Sequence, residues 1–63
     1  MAVRVVLRTN EYALSGKVDQ VELFISGQWY RRDIRNSYDI KMAQKLADDM
    51  NLKLEDYRSK NGD

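Results

Sequence analysis

Apolar and polar residues alternate through Val21, Leu23 and Ile25, and the rhythm then changes to helical spacing after Ser37. Period two followed by period 3.6 predicts a hairpin feeding a helix that covers one face of a sheet. Residues 18–26 form the second strand of this scheme and residues 28–35 the third. Either Ser26-Gly27 or Gly27-Gln28 can make a two-residue tip, and both put the same side chains on the same faces. A three-residue loop would swap the faces of the third strand. Residues 2–8, β-branched and free of breakers, predict the first strand. Residues 9–17 read as a connection because Asn10, Ser15 and Gly16 favour turns. Tyr12 and Leu14 within it are expected to tuck back over the core edge.

Asn36 or Ser37 suits a helix N-cap, with Asp39 in the first turn where a carboxylate meets the positive end of the helix dipole. Ile40, Ala43, Ala47 and Met50 form an apolar stripe that Leu46 widens. Lys45 and Asp49 on the far side are spaced for an i, i+4 pair. Asn51 suits the helix-terminating position that needs a left-handed backbone. Leu52, Leu54 and Tyr57 give a short apolar return that fits a strand or one more helical turn, and residues 58–63 are expected to fray. The fold class expected is α+β: a three-stranded antiparallel sheet with one main C-terminal helix packed on one face (β-β-β-α), and a short extra element at 52–57.

Sixty-three residues are expected to make a single domain spanning 1–63. A chain this size buries only about 60% of the surface it exposes when unfolded, so close packing or a partner chain must supply its stability. With no cysteine and no histidine, neither a disulfide framework nor an ordinary zinc, iron or copper site is expected, and no Cys–His or Ser–His catalytic pair. No cofactor and no enzymatic activity are therefore expected. No apolar run approaches the roughly 20 residues of a membrane span, and the first residues lack the pattern of a secretory signal. These features fit action in the cytoplasm, including host cytoplasm for a protein of viral or mobile-element origin.

Charge adds a mild asymmetry to this picture. The net value is +1, from 11 basic and 10 acidic residues, unlike the strongly basic balance of a nonspecific nucleic-acid binder. Five of the six arginines lie in residues 1–35, while four of the five lysines lie beyond. Arginine makes directed contacts more readily than lysine, so the sheet half is where recognition is expected. Ser15-Gly16-Lys17 lacks the upstream glycine of a phosphate loop and reads as a turn. Adjacent carboxylates at Asp48-Asp49 and Glu55-Asp56 diverge instead of converging on an ion.

Alternation assigns Val3, Val5, Leu7, Val21, Leu23, Ile25, Tyr30 and Ile34 to the helix side of the sheet. The opposite face then carries Arg4, Val6, Arg8, Glu22, Phe24, Trp29, Arg31, Asp33 and Arg35. The single Trp, the single Phe and four arginines share that face, where a solvated sheet would normally be plainly polar. Three readings follow. Phe24 and Trp29 can be a cross-strand pair that stabilises the hairpin, with Glu22 opposite an arginine. They can be the anchors of a protein interface, where Trp, Phe and Arg are enriched. Or the arginines can meet phosphates and base edges while the aromatics stack. The leading expectation is a small non-enzymatic regulatory, adaptor or inhibitor protein that binds a protein partner through Arg4, Arg8, Phe24, Trp29, Arg31 and Arg35. The alternative is a nucleic-acid-binding domain using the same face. Self-association through that face, or through the exposed edge of the first strand, is a third expectation.

Overall fold

In the computed structural model, residues 2–59 are described. The two strands of the first hairpin are longer than alternation predicts: β1 runs Val3–Ala13 and β2 runs Gly16–Ile25. They absorb most of the expected connection at 9–17. Asn10 sits at a bulge instead of a turn. The register steps from Asn10↔Val18 to Ala13↔Gly16, leaving one more residue on β1 than on β2. The Asn10 side-chain oxygen accepts the Tyr12 N–H at 3.0 Å, which satisfies the backbone where the ladder is interrupted. Leu14 and Ser15 form the tip, and Gly16 (φ +102°) rejoins the ladder with a backbone that favours glycine. Tyr12 is 95% exposed and Leu14 fully so, which corrects the expectation that they cover the core. The buried core ends at Leu7, well short of this tip.

The second hairpin follows the first of the two predicted tips. Ser26 (φ +52°) and Gly27 (φ +81°) make a two-residue turn of the hand that matches strand twist. β3, Gln28–Asp33, pairs with β2 through Ile25↔Gln28, Phe24↔Trp29, Leu23↔Tyr30 and Glu22↔Arg31. The strand ends at Asp33, not at residue 35, although the Ile34 N–H still reaches the Asp19 carbonyl at 2.8 Å. Helix α1 spans Ser37–Asp49. Its N-cap is Asn36, whose side chain accepts the Asp39 N–H at 3.2 Å, and Asp39 in return accepts the Arg35 N–H at 2.8 Å. Asn51 (φ +57°) closes the helix. The Leu52 N–H reaches the Ala47 carbonyl and the Asn51 N–H the Asp48 carbonyl, the paired bonds of a Schellman end.

Residues Glu55–Tyr57 resolve the ambiguous return as a strand, β4, which pairs parallel to β1. The fold is α+β, but the sheet has four strands in the order β3-β2-β1-β4 and is mixed, which corrects the three-stranded antiparallel expectation. A parallel partner needs a crossover, and α1 supplies it by carrying the chain from one edge of the sheet to the other. β4 thereby occupies the edge of β1 over Val6–Arg8, where the first strand was expected to be exposed. Among the described residues the outermost strands are β3 and the three-residue β4, and β1 beyond Arg8 has no strand partner on its β4 side. The expected tail is partly tied down: Arg58 pairs with Asp56 at 2.7 Å and the Ser59 N–H donates to Thr9 Oγ1 at 2.8 Å. Its remainder, 60–63, lies outside the described residues.

The core between helix and sheet is Val5, Leu7, Ala43 and Ala47, with Val21, Leu23, Ile34, Ile40, Leu52 and Leu54 packed around it. Small residues at the centre of the helix stripe let α1 lie close on β1 and β2, the strands it contacts. The covered stripe is narrower than predicted: Leu46 and Met50 stand at its margin, 39% and 38% exposed, and Tyr30 on β3 is 58% exposed. Ile25, expected in this core, is half-buried outside it. No helix among the described residues is long and apolar enough to cross a membrane.

Candidate functional site: the outer face of the sheet

The face turned away from α1 is built by register. Arg4↔Phe24↔Trp29 form one row across three strands, and Val6↔Glu22↔Arg31 form the next, extended by Glu55 on β4. Arg8, flanked by Gln20 and Tyr57, forms a third. The structure thus brings together Arg4, Arg8, Phe24, Trp29 and Arg31 as alternation predicts. Arg35 is the exception. It lies past the end of β3, exposed in the approach to the helix, where its backbone N–H is committed to Asp39. The strand stops at Asp33, so alternation no longer governs where Arg35 points.

This face is a packed layer of its own. The Phe24 and Trp29 rings lie 4.8 Å apart, tilted at 52°, in the geometry that favours edge-on aromatic contact. The Arg4 and Arg8 guanidinium groups stand over the Trp29 ring at 5.6 and 5.7 Å, and Arg8 also stands over Tyr57 at 5.8 Å. Val6, on this side, has no exposed surface at all. Glu22 is 4% exposed. Its Oε2 accepts from Arg31 Nε at 3.0 Å. Its Oε1 lies 3.3 Å from Arg8 Nη1, an ion-pair contact in which no hydrogen bond is formed. A carboxylate this buried needs such partners, because desolvating an unpaired charge is costly.

β4 locks the other side. Arg4 grips Glu55 with two bonds, Nε to Oε2 at 2.9 Å and Nη2 to Oε1 at 2.7 Å, and the Tyr57 hydroxyl donates to Oε1 at 2.8 Å. These donors favour the ionised carboxylate, first Arg4 and then Tyr57, and hold the Glu55 carboxyl at about 2. The same contacts push the Arg4 guanidinium and the Tyr57 phenol above their ordinary values. Glu55 and Tyr57 are the members that sequence reasoning missed. Their i, i+2 spacing is the signal, and it becomes informative only once β4 is known to be a strand beside β1.

Charge on the face is balanced: Arg4, Arg8 and Arg31 stand against Glu22, Asp33 and Glu55, with Asp33 accepting from Gln20 Nε2 at 2.8 Å. What results is a surface in which cations and aromatic rings contact one another within the chain. No family model, curated protein or solved structure matches this chain.

Proposed function

We propose that this chain is a non-enzymatic regulatory or adaptor module that binds a protein partner through the outer sheet face, with Trp29 at its centre. The observation that carries the reading is Trp29 itself. Its ring is pinned by Phe24 at 4.8 Å and by two guanidinium groups at 5.6 and 5.7 Å, on a face that no helix covers. Tryptophan and arginine supply a large share of interface hot spots. Side chains already held in place lose less conformational entropy on binding, which favours affinity.

The alternative, that the same face takes nucleic acid, is supported by its arginines and aromatics but opposed by its charge. Arg4 is committed bidentately to Glu55, and Arg8 and Arg31 share Glu22. Three cations matched by three anions leave little net attraction for phosphates.

The test immobilises the whole chain and captures partners from lysate of the native host, with and without nuclease, alongside direct titration of DNA and RNA oligonucleotides. Capture that survives nuclease and weakens about 30-fold or more with Trp29→Ala supports the reading, since a hot spot contributes about 2 kcal/mol or more. Trp29→Phe, which keeps a ring against Phe24, checks that the loss is not unfolding. Salt-sensitive oligonucleotide binding whose slope drops by about 1 with Arg31→Ala would establish the alternative instead.

A further inference from the structure

The edge opposite β4 is built differently. β3 is a free edge strand of six residues, in unbroken register with β2 and without a bulge. The Ile34 N–H to Asp19 carbonyl bond fixes which of its residues face inward, because hydrogen-bonded pairs alternate along an antiparallel ladder. Ile34, Arg32, Tyr30 and Gln28 therefore turn their backbone groups toward β2. Trp29, Arg31 and Asp33 turn theirs outward, where no strand receives them.

Beside this edge the helix layer stops short. α1 packs on β1 and β2 and leaves β3 uncovered. An apolar groove opens between β3 and the helix, lined by Val21, Leu23, Tyr30, Tyr38, Met42 and Leu46. Tyr30, Tyr38, Met42 and Leu46 are each between 39% and 64% exposed. An unpaired edge and an adjoining apolar groove are the two parts of a strand-addition site.

We propose that the occupant is a second copy of this chain, with the two β3 strands pairing antiparallel about a two-fold axis at Tyr30. Register selects this arrangement. Centring the axis on Arg31 or on Arg32 sets an arginine directly opposite its own copy, which like charges disfavour. Centring it on Trp29 pairs only a short stretch at the strand start. Centring it on Tyr30 pairs residues 28–32. The outward backbone groups of Trp29 then meet those of Arg31 in the second copy, two bonds for each such pair. On the outer face Arg31 comes beside Trp29 of the other copy, repeating the guanidinium–indole contact each chain already makes. On the helix side Tyr30 meets Tyr30, and Gln28 meets Arg32. The two grooves face each other across the axis, so Tyr38, Met42 and Leu46 of both copies close over the tyrosine pair. The axis is perpendicular to the sheet, which leaves both outer faces open on one continuous eight-stranded surface.

Sedimentation equilibrium of the intact chain from micromolar to millimolar concentration tests this directly. The mass should rise toward twice the 7.4 kDa of one chain, and Tyr30→Arg, at a largely exposed position, should hold it at one chain while the fold persists. The chain has no cysteine, so single cysteines report the register without background. Tyr30→Cys sits in a non-hydrogen-bonded pair with Cα atoms about 4.5 Å apart, within disulfide reach, and should oxidise to a covalent dimer. Arg32→Cys lies about 13 Å along the ladder from its copy and should not. A one-chain mass across the whole range, or cross-linking at residue 32 as fast as at residue 30, overturns the proposal.

Discussion

Val6 offers the sharpest test of whether the outer face is a packed layer or a solvated one. It points away from the helix, yet it is fully buried, enclosed in a row with Glu22 and Arg31 and beside Glu55. Val6→Ala removes two methyl-sized groups. At about 0.8 kcal/mol for each buried carbon, the transfer loss is about 1.6 kcal/mol. A residual cavity adds to this, because the cross-linked arginines and glutamates around the site collapse only partly. The expected cost is about 1.5–3 kcal/mol. For a domain of this size each kcal/mol moves the thermal midpoint by about 4–8 °C, so the shift should be about 6 °C or more. Leu7→Ala on the helix side, where Leu7 is 1% exposed, sets the scale for a true core position at about 2–5 kcal/mol. Tyr12→Ala at the exposed hairpin tip sets the floor, within about 0.5 kcal/mol. Circular dichroism and the fluorescence of the single Trp follow the same transition. A Val6→Ala midpoint within about 2 °C of the parent would refute the packed-layer reading and leave the arginine–aromatic face a loosely solvated one.

Two further outcomes follow from local chemistry. Glu55 is held at about 2 when folded, against a reference near 4.5; a depressed carboxylate stabilises the fold above its unfolded value and loses that contribution as pH falls. Stability should therefore decline between about pH 4.5 and 2, with the Glu55 carboxyl carbon titrating near the bottom of that window by NMR. Glu55→Gln should abolish that part of the pH dependence, and an ordinary midpoint near 4.5 would mean that Arg4 does not grip it. At the β2–β3 tip, Ser26 holds φ +52°, a backbone that Asn tolerates better. Ser26→Asn should therefore stabilise the chain by about 0.5 kcal/mol, or 2–4 °C in the thermal midpoint, and a drop in that midpoint would count against the turn as described.

The division between local and long-range information runs through particular residues. Features set within a few neighbours are readable in the chain: the Ser26-Gly27 tip, the Asn36 cap, the Asn51 helix end and the alternation that puts Phe24 beside Trp29. Each depends on backbone preference or on a period-two pattern, which adjacent residues carry whatever lies elsewhere. Turn-favouring Asn10 misleads because its side chain can serve a bulge as well as a turn, and that choice depends on how far the partner strand continues. The three residues of β4 have no pattern long enough to declare a strand. They become one because β1 has an open edge about fifty residues earlier and α1 returns the chain to it. From that single pairing follow the grip of Arg4 on Glu55, the addition of Tyr57 to the outer face and the covering of the β1 edge over Val6–Arg8. The open groove beside β3 has the same origin. The helix is drawn over β1 and β2 by Ala43 and Ala47, whose small side chains allow the closest approach there, and so Tyr30, assigned correctly to the inner side, is left half-covered. Which side a residue faces is a local property; whether anything covers that side depends on where the rest of the chain packs.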